Sequence, residues 1–128
     1  MKLENQKSIL IVEDDLMILE MYRDRLKREG YRIFTVTDGK KALQRISQGA
    51  DLILLDILMP NLNGFEILKK IKANPKAKEI PVLVLTNIGG ESADKDRNLA
   101  ISLGAKDYLV KALNTPDDIV KKIEEIFA

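Results

Sequence analysis

Leu52-Ile53-Leu54-Leu55, followed at once by Asp56, is the stretch on which the fold turns. Four apolar residues in a row leave no polar face, so the segment reads as a strand covered on both sides. Such a strand belongs in a parallel sheet lying between helices. Ile9-Leu10-Ile11-Val12 and Val82-Leu83-Val84-Leu85 repeat the pattern, and Ile33-Phe34-Thr35-Val36 and Tyr108-Leu109-Val110 complete a set of five short runs.

The gaps between these runs carry helical spacing. Leu16, Leu19, Tyr22 and Leu26 recur at steps of three and four before Gly30, a natural helix stop. Ala42, Leu43 and Ile46 precede Gly49; Phe65, Ile67, Leu68 and Ile71 precede Pro75; Leu99, Ala100 and Leu103 precede Gly104. Ile119, Ile123, Ile126 and Phe127 line a last helix. Thr115 is placed to cap it, Pro116 suits its first position, and Asp118 stands where a capping box needs an acid. Strand then helix, five times over, predicts an α/β fold: a doubly wound (βα)5 with a five-stranded parallel sheet and right-handed crossovers. Five strands fit the flavodoxin-like order 2-1-3-4-5.

The chain has 128 residues, enough for one domain with a proper core, expected over about residues 8–127. No linker, low-complexity segment or output domain is read within it. Apolar residues make up 45% and charged residues 32%, as in ordinary globular proteins. No apolar run reaches the ~18 residues that span a bilayer, and the first seven residues lack the apolar stretch of a signal peptide. A cytoplasmic location away from membranes is therefore expected. A net charge of +1 without a basic patch argues against direct nucleic-acid binding. The chain has no cysteine and no histidine. Disulfides, thiolate chemistry, Ser-His catalysis, histidine-ligated zinc and phosphohistidine on this chain are all excluded.

Ligands of open α/β sheets bind at the carboxyl ends of the strands. Glu13, Asp14 and Asp15 follow the first strand, Asp56 the third and Lys111 the fifth, while Thr86-Asn87 close the fourth. Clustered carboxylates repel and resist desolvation, so they call for a compensating charge. A hard divalent cation with oxygen ligands supplies one, and Lys111 another. A nucleophilic carboxylate with a cation, a hydroxyl and an ammonium suits phosphoryl transfer. Taken singly, Thr86 and Lys111 read as an ordinary strand threonine and a surface lysine. Asp15 reads as the cap of the first helix, and the run Lys69-Lys70-Lys72 with Lys76 and Lys78 as a solvated helix face.

From about Ser8 to its end the chain resembles the receiver domain of two-component response regulators, in the single-domain, chemotaxis-regulator-like form. The matching elements are the acidic pair after strand one, Leu54-Leu55-Asp56-Ile57-Leu58-Met59-Pro60-Asn61-Leu62-Asn63-Gly64, the strand from Pro81 to Thr86, and Gly104-Ala105-Lys106-Asp107-Tyr108-Leu109-Val110-Lys111. The resemblance implies a phosphoprotein of a phosphorelay in which Asp56 is the phosphoacceptor and forms an aspartyl phosphate. It implies that Glu13, Asp14, Asp56 and the backbone carbonyl of Leu58 hold Mg²⁺ or Mn²⁺, and that Thr86 and Lys111 contact the phosphoryl oxygens. Thr86 and Tyr108 would form the switch, with the Tyr108 ring moving between outward and buried positions. Pro60 and Gly64 would shape the loop after strand three. The donor would be a phosphohistidine on a sensor histidine kinase or phosphotransfer protein. A downstream protein would read the face of helix four, strand five and helix five.

Three positions depart from that family. Ala112 follows Lys111 where proline is usual, so a trans bond or a reshaped loop is expected, because a cis bond without proline costs ~3 kcal/mol. Asn87 stands where a small residue is usual and is expected to cover part of the phosphoryl site. The segment between Thr86 and Lys111 is longer than usual, with a mobile loop expected at Ile88-Gly89-Gly90-Glu91. Competing readings are an aspartyl phosphatase, a flavodoxin-like cofactor binder and a docking module independent of phosphorylation. The first usually needs a second acid two residues after the nucleophile, where this chain has Leu58, so turnover of external substrates is not expected. The second needs a phosphate loop where the chain has Glu13-Asp14-Asp15.

Overall fold

A computed structural model of the chain describes residues 6–59, 62–87 and 93–128. Its main sheet holds β1 (Ser8–Val12), β2 (Arg32–Val36), β3 (Leu52–Asp56), β4 (Val82–Thr86) and β5 (Asp107–Val110). All the pairs are parallel, and the order is 2-1-3-4-5, as expected. Helices α1 (Leu16–Arg28), α2 (Gly39–Arg45), α3 (Gly64–Ala73), α4 (Ala93–Ser102) and α5 (Pro116–Phe127) fill the crossovers. A 3-10 turn, Ile46–Gln48, prolongs α2.

Side-chain alternation divides the buried strands between two cores. Ile9, Ile11, Leu52, Leu54, Leu83 and Leu85 face α1 and α5, meeting Leu19, Tyr22, Leu26, Ile119 and Ile123. Leu10, Val12, Ile53, Leu55, Val82 and Val84 face the other helices, meeting Ala42, Ile67, Leu68, Ile71 and Ala100. The continuous apolar runs are thus consecutive residues pointing into opposite cores. Each fully buried Leu or Ile contributes roughly 1.5–3 kcal/mol. Leu16, counted in the apolar stripe of α1, is exposed instead, at the first position of the helix.

The caps form as the sequence predicts. The Asp15 carboxylate accepts from the Met17 and Ile18 amides, and Thr115 and Asp118 close a capping box on α5. Arg25 Nη2 reaches Asp117 Oδ1 at 2.6 Å and ties α1 to α5. One lysine departs from the solvated-face reading. Lys72 folds back so that its Nζ donates to the carbonyls of Ile80 at 2.7 Å and Lys78 at 3.2 Å. Partial burial lowers its pKa. Among the described residues, no helix is long and apolar enough to cross a membrane.

Candidate functional site

The carboxyl ends of β1, β3, β4 and β5 bring the chemistry-bearing side chains together. β1 stops at Val12, and the next residue, Glu13, stays buried because its amide still donates to Val36 O at 3.1 Å. Asp14 follows half-buried, and Asp15 turns away to cap α1. Asp56 ends β3 at 5% exposure, and Thr86 ends β4 fully buried. Lys111 leaves β5 with only 8% of its side chain exposed.

One oxygen from each of Glu13, Asp14 and Asp56 lies within 4.8 Å of the others. Lys111 Nζ donates to Glu13 Oε1 at 2.5 Å and stands 3.5 Å from Asp56 Oδ2. Asp56 Oδ1 accepts from the Leu58 amide at 3.0 Å, and Glu13 Oε2 from the Asp15 amide at 3.2 Å. Burial first, and then Asp56, raise the pKa of Glu13 against the pull of Lys111. Burial alone would lower the pKa of Lys111, but Glu13 and Asp56 together raise it, so the ammonium keeps its charge. Two buried carboxylates thus share one ammonium, and the half-buried Asp14 adds a third carboxylate beside them. That excess of hard oxygen donors fits a divalent cation.

After Asp56 the chain forms a short antiparallel ribbon, Leu58–Met59 with Leu62–Asn63, which leads into α3. Gly64 is required there: a Cβ on it would lie 2.5 Å from Ile57 Cα. Its amide donates to Ile57 O at 3.2 Å and draws the start of α3 against the strand end. Pro60, expected to shape this loop, lies outside the described residues, as does the Ile88-Gly89-Gly90-Glu91 loop. The Tyr108 ring is buried, in the inward of its two expected positions. Burial raises its pKa, and the Thr86 side chain acts against that rise. Its hydroxyl finds no well-formed hydrogen bond among the described residues.

The Lys111-Ala112 bond is trans, since no peptide bond is cis among the described residues. Lys111–Leu113 winds into a 3-10 turn. Asn87 is exposed and lines a cavity of about 290 Å³ with Ile18, Met21, Tyr22, Lys111 and Asn114. Sequence reading placed Tyr22 only in the α1 stripe and did not single out Asn114. Asn114 shows no spacing signal, because it meets Lys111 only through the turn after β5, and the spacing that places Tyr22 on α1 does not show that it faces this cavity.

Known proteins share this fold and its sequence pattern. The sequence profile of the response regulator receiver domain matches residues 9–124. A transcriptional regulatory protein CpxR homolog of Haemophilus influenzae is 39% identical over 113 residues, which are 88% of this chain and 47% of that protein. The chain therefore spans about half the length of the curated relatives it matches. The chemotaxis response regulator CheY4 of Vibrio cholerae superposes with a TM-score of 0.85 at 28% identity, covering 95% of this chain and 99% of that one. The receiver domain of the sensor histidine kinase PA1611 of Pseudomonas aeruginosa, solved with magnesium in its active-site cleft, has a TM-score of 0.80 at 26% identity and covers 94% and 96%. Profile, relatives and fold agree that this chain belongs to the response regulator receiver domain family of two-component systems.

Proposed function

We propose that Asp56 accepts a phosphoryl group from a phosphohistidine on a sensor histidine kinase or phosphotransfer protein. The observation that carries this is the meeting of the Glu13, Asp14 and Asp56 oxygens within 4.8 Å, with Lys111 Nζ 3.5 Å from Asp56. Glu13, Asp14, Asp56 and the Leu58 carbonyl would hold Mg²⁺ or Mn²⁺, which offsets negative charge on the phosphoryl oxygens when bound. An Asp56 oxygen attacks phosphorus and forms the new P–O bond. The P–N bond of the donor breaks, and the imidazole nitrogen leaves with its electron pair. Lys111 pairs with one phosphoryl oxygen, and the Thr86 hydroxyl donates to another. The chain is a signalling phosphoacceptor that catalyses its own loading and unloading. Leu58, in place of a second acid, supports the absence of turnover on external substrates.

The signal then passes to the face of α4, β5 and α5, which a downstream protein reads. Leu99 and Ile101 present apolar surface on α4. Tyr108 is inward here, so phosphorylation acts by holding that packing and shifting the population toward it. The Asn87 side chain, on the cavity wall beside Lys111, limits approach to the phosphoryl group from that side.

Phosphoramidate is a small donor with the same P–N bond. Incubated with the chain and Mg²⁺, it is expected to yield an aspartyl phosphate and ammonia, followed by ³¹P NMR. Transfer that proceeds equally without a divalent cation, or in Asp56→Asn, would overturn the reading.

A further inference from the structure

Lys111 leaves β5 through a turn that contains no proline. Its 3-10 form closes with one backbone bond, from the Asn114 amide to Lys111 O at 3.3 Å. Turns of this type have poor hydrogen-bond geometry and little stiffness of their own. Asn114 adds a second tie: its Nδ2 donates to Val110 O at 2.8 Å in a partly buried setting. Only the carboxamide nitrogen can donate to a carbonyl, which fixes the orientation of that group. One residue thus holds the carbonyl before Lys111 and the carbonyl of Lys111 itself. Both ends of the turn are anchored as well. Val110 is nine-tenths buried, and the Thr115 amide donates to Asp118 Oδ2 at 2.8 Å in the α5 cap.

A lysine head is carried on a long stem, so a change of backbone angle at its root moves the ammonium furthest. Lys111 Nζ must nevertheless face both Glu13 and Asp56. We propose that Asn114 is a positioning residue for phosphoryl transfer, clamping the two carbonyls around Lys111 so that its ammonium is aimed at Asp56. This rests on the reading of Lys111 as the cation that meets the phosphoryl group. The Asn114 clamp does in this chain what the rigid pyrrolidine ring of a proline would do after the lysine.

The test compares Asn114→Ala and Asn114→Asp with the unaltered chain. The second variant keeps the side-chain shape but removes the donor and adds a negative charge, so it serves if the first folds poorly. Initial phosphorylation rates are measured over a range of acetyl phosphate at saturating Mg²⁺. Mg²⁺ affinity and the Lys111 side-chain Cε resonance are followed by NMR. The rate at saturating donor is expected to fall about tenfold in both variants, as for a modest misplacement of a reacting group. Mg²⁺ affinity is expected to stay within about twofold, and the Lys111 resonance to shift. Unchanged rates with an unmoved Lys111 resonance would overturn the proposal, as would a parallel loss of Mg²⁺ affinity, the mark of general loosening. Unaltered rates in a Lys111→Ala control would instead remove the reading of Lys111, and the proposal with it.

Discussion

Lys111 keeps its charge at 8% side-chain exposure because Glu13 and Asp56 face it. Removing one partner of a buried pair leaves the other charges uncompensated, at a cost of about 3 kcal/mol. Lys111→Met is therefore expected to lower stability by about that amount in the metal-free chain and by less with Mg²⁺ present. Urea unfolding with and without Mg²⁺ measures it; equal losses under both conditions would show that the carboxylates do not share the two cations. Glu13 and Asp56 were legible because each directly follows an apolar run and strand ends converge in a doubly wound sheet, whereas spacing alone did not fix which of Asp14 and Asp15 faces inward. Asp15 was legible as a cap for the same positional reason. Lys72 was not, since only the loop that follows α3 reveals the carbonyls it meets. Asn114 escaped because its partner carbonyls belong to the backbone, which carries no residue-type signal.

Asp107 links three elements of the proposed output face. Its Oδ1 meets Arg97 of α4 at 3.1 Å and the Tyr108 amide at 2.8 Å, and its Oδ2 meets Lys122 of α5 at 3.1 Å. Burial pushes the Asp107 carboxyl up, but the Tyr108 amide, Lys122 and Arg97 together hold it below the ordinary 3.8. A depressed folded value means that the stabilisation is fully present above the unfolded value and is lost as pH falls through the folded one. Asp107→Asn is expected to lower stability at neutral pH by about 1 kcal/mol. The gap should close below pH 3.8, the range in which the unaltered carboxyl also takes up its proton. Thermal melts across that range measure it, and a gap that stays constant would show that the charge of Asp107 is not involved. The five sheet strands and five helices were legible from periodicity, and the α5 start from its capping box. The ribbon of Leu58–Met59 with Leu62–Asn63 was not, because two-residue strands have no period to read.

The molecule as a whole is two apolar layers around one sheet, with an acidic crevice at one end of it. A buried cluster of like charges is a local cost of folding that a bound cation offsets. Mg²⁺ at ten times its dissociation constant is expected to stabilise the fold by about 1.4 kcal/mol, seen as a rise in Tm. Asp14→Asn should reduce that rise, and an undiminished rise would place the cation elsewhere. The order of the sheet could be read from the chain because both layers demand buried strands, and parallel strands demand crossovers. The inward packing of Tyr108 could not, because its position depends on packing between α4 and β5 and not on its neighbours in sequence. The most direct measurement is the intact mass of the chain after incubation with acetyl phosphate, with and without Mg²⁺, beside Asp56→Asn. The expected result is one alkali-labile phosphoryl adduct that requires Mg²⁺ and is absent from the variant. An adduct that persists in Asp56→Asn, or none in the unaltered chain with Mg²⁺ present, would contradict the assignment of Asp56 as phosphoacceptor.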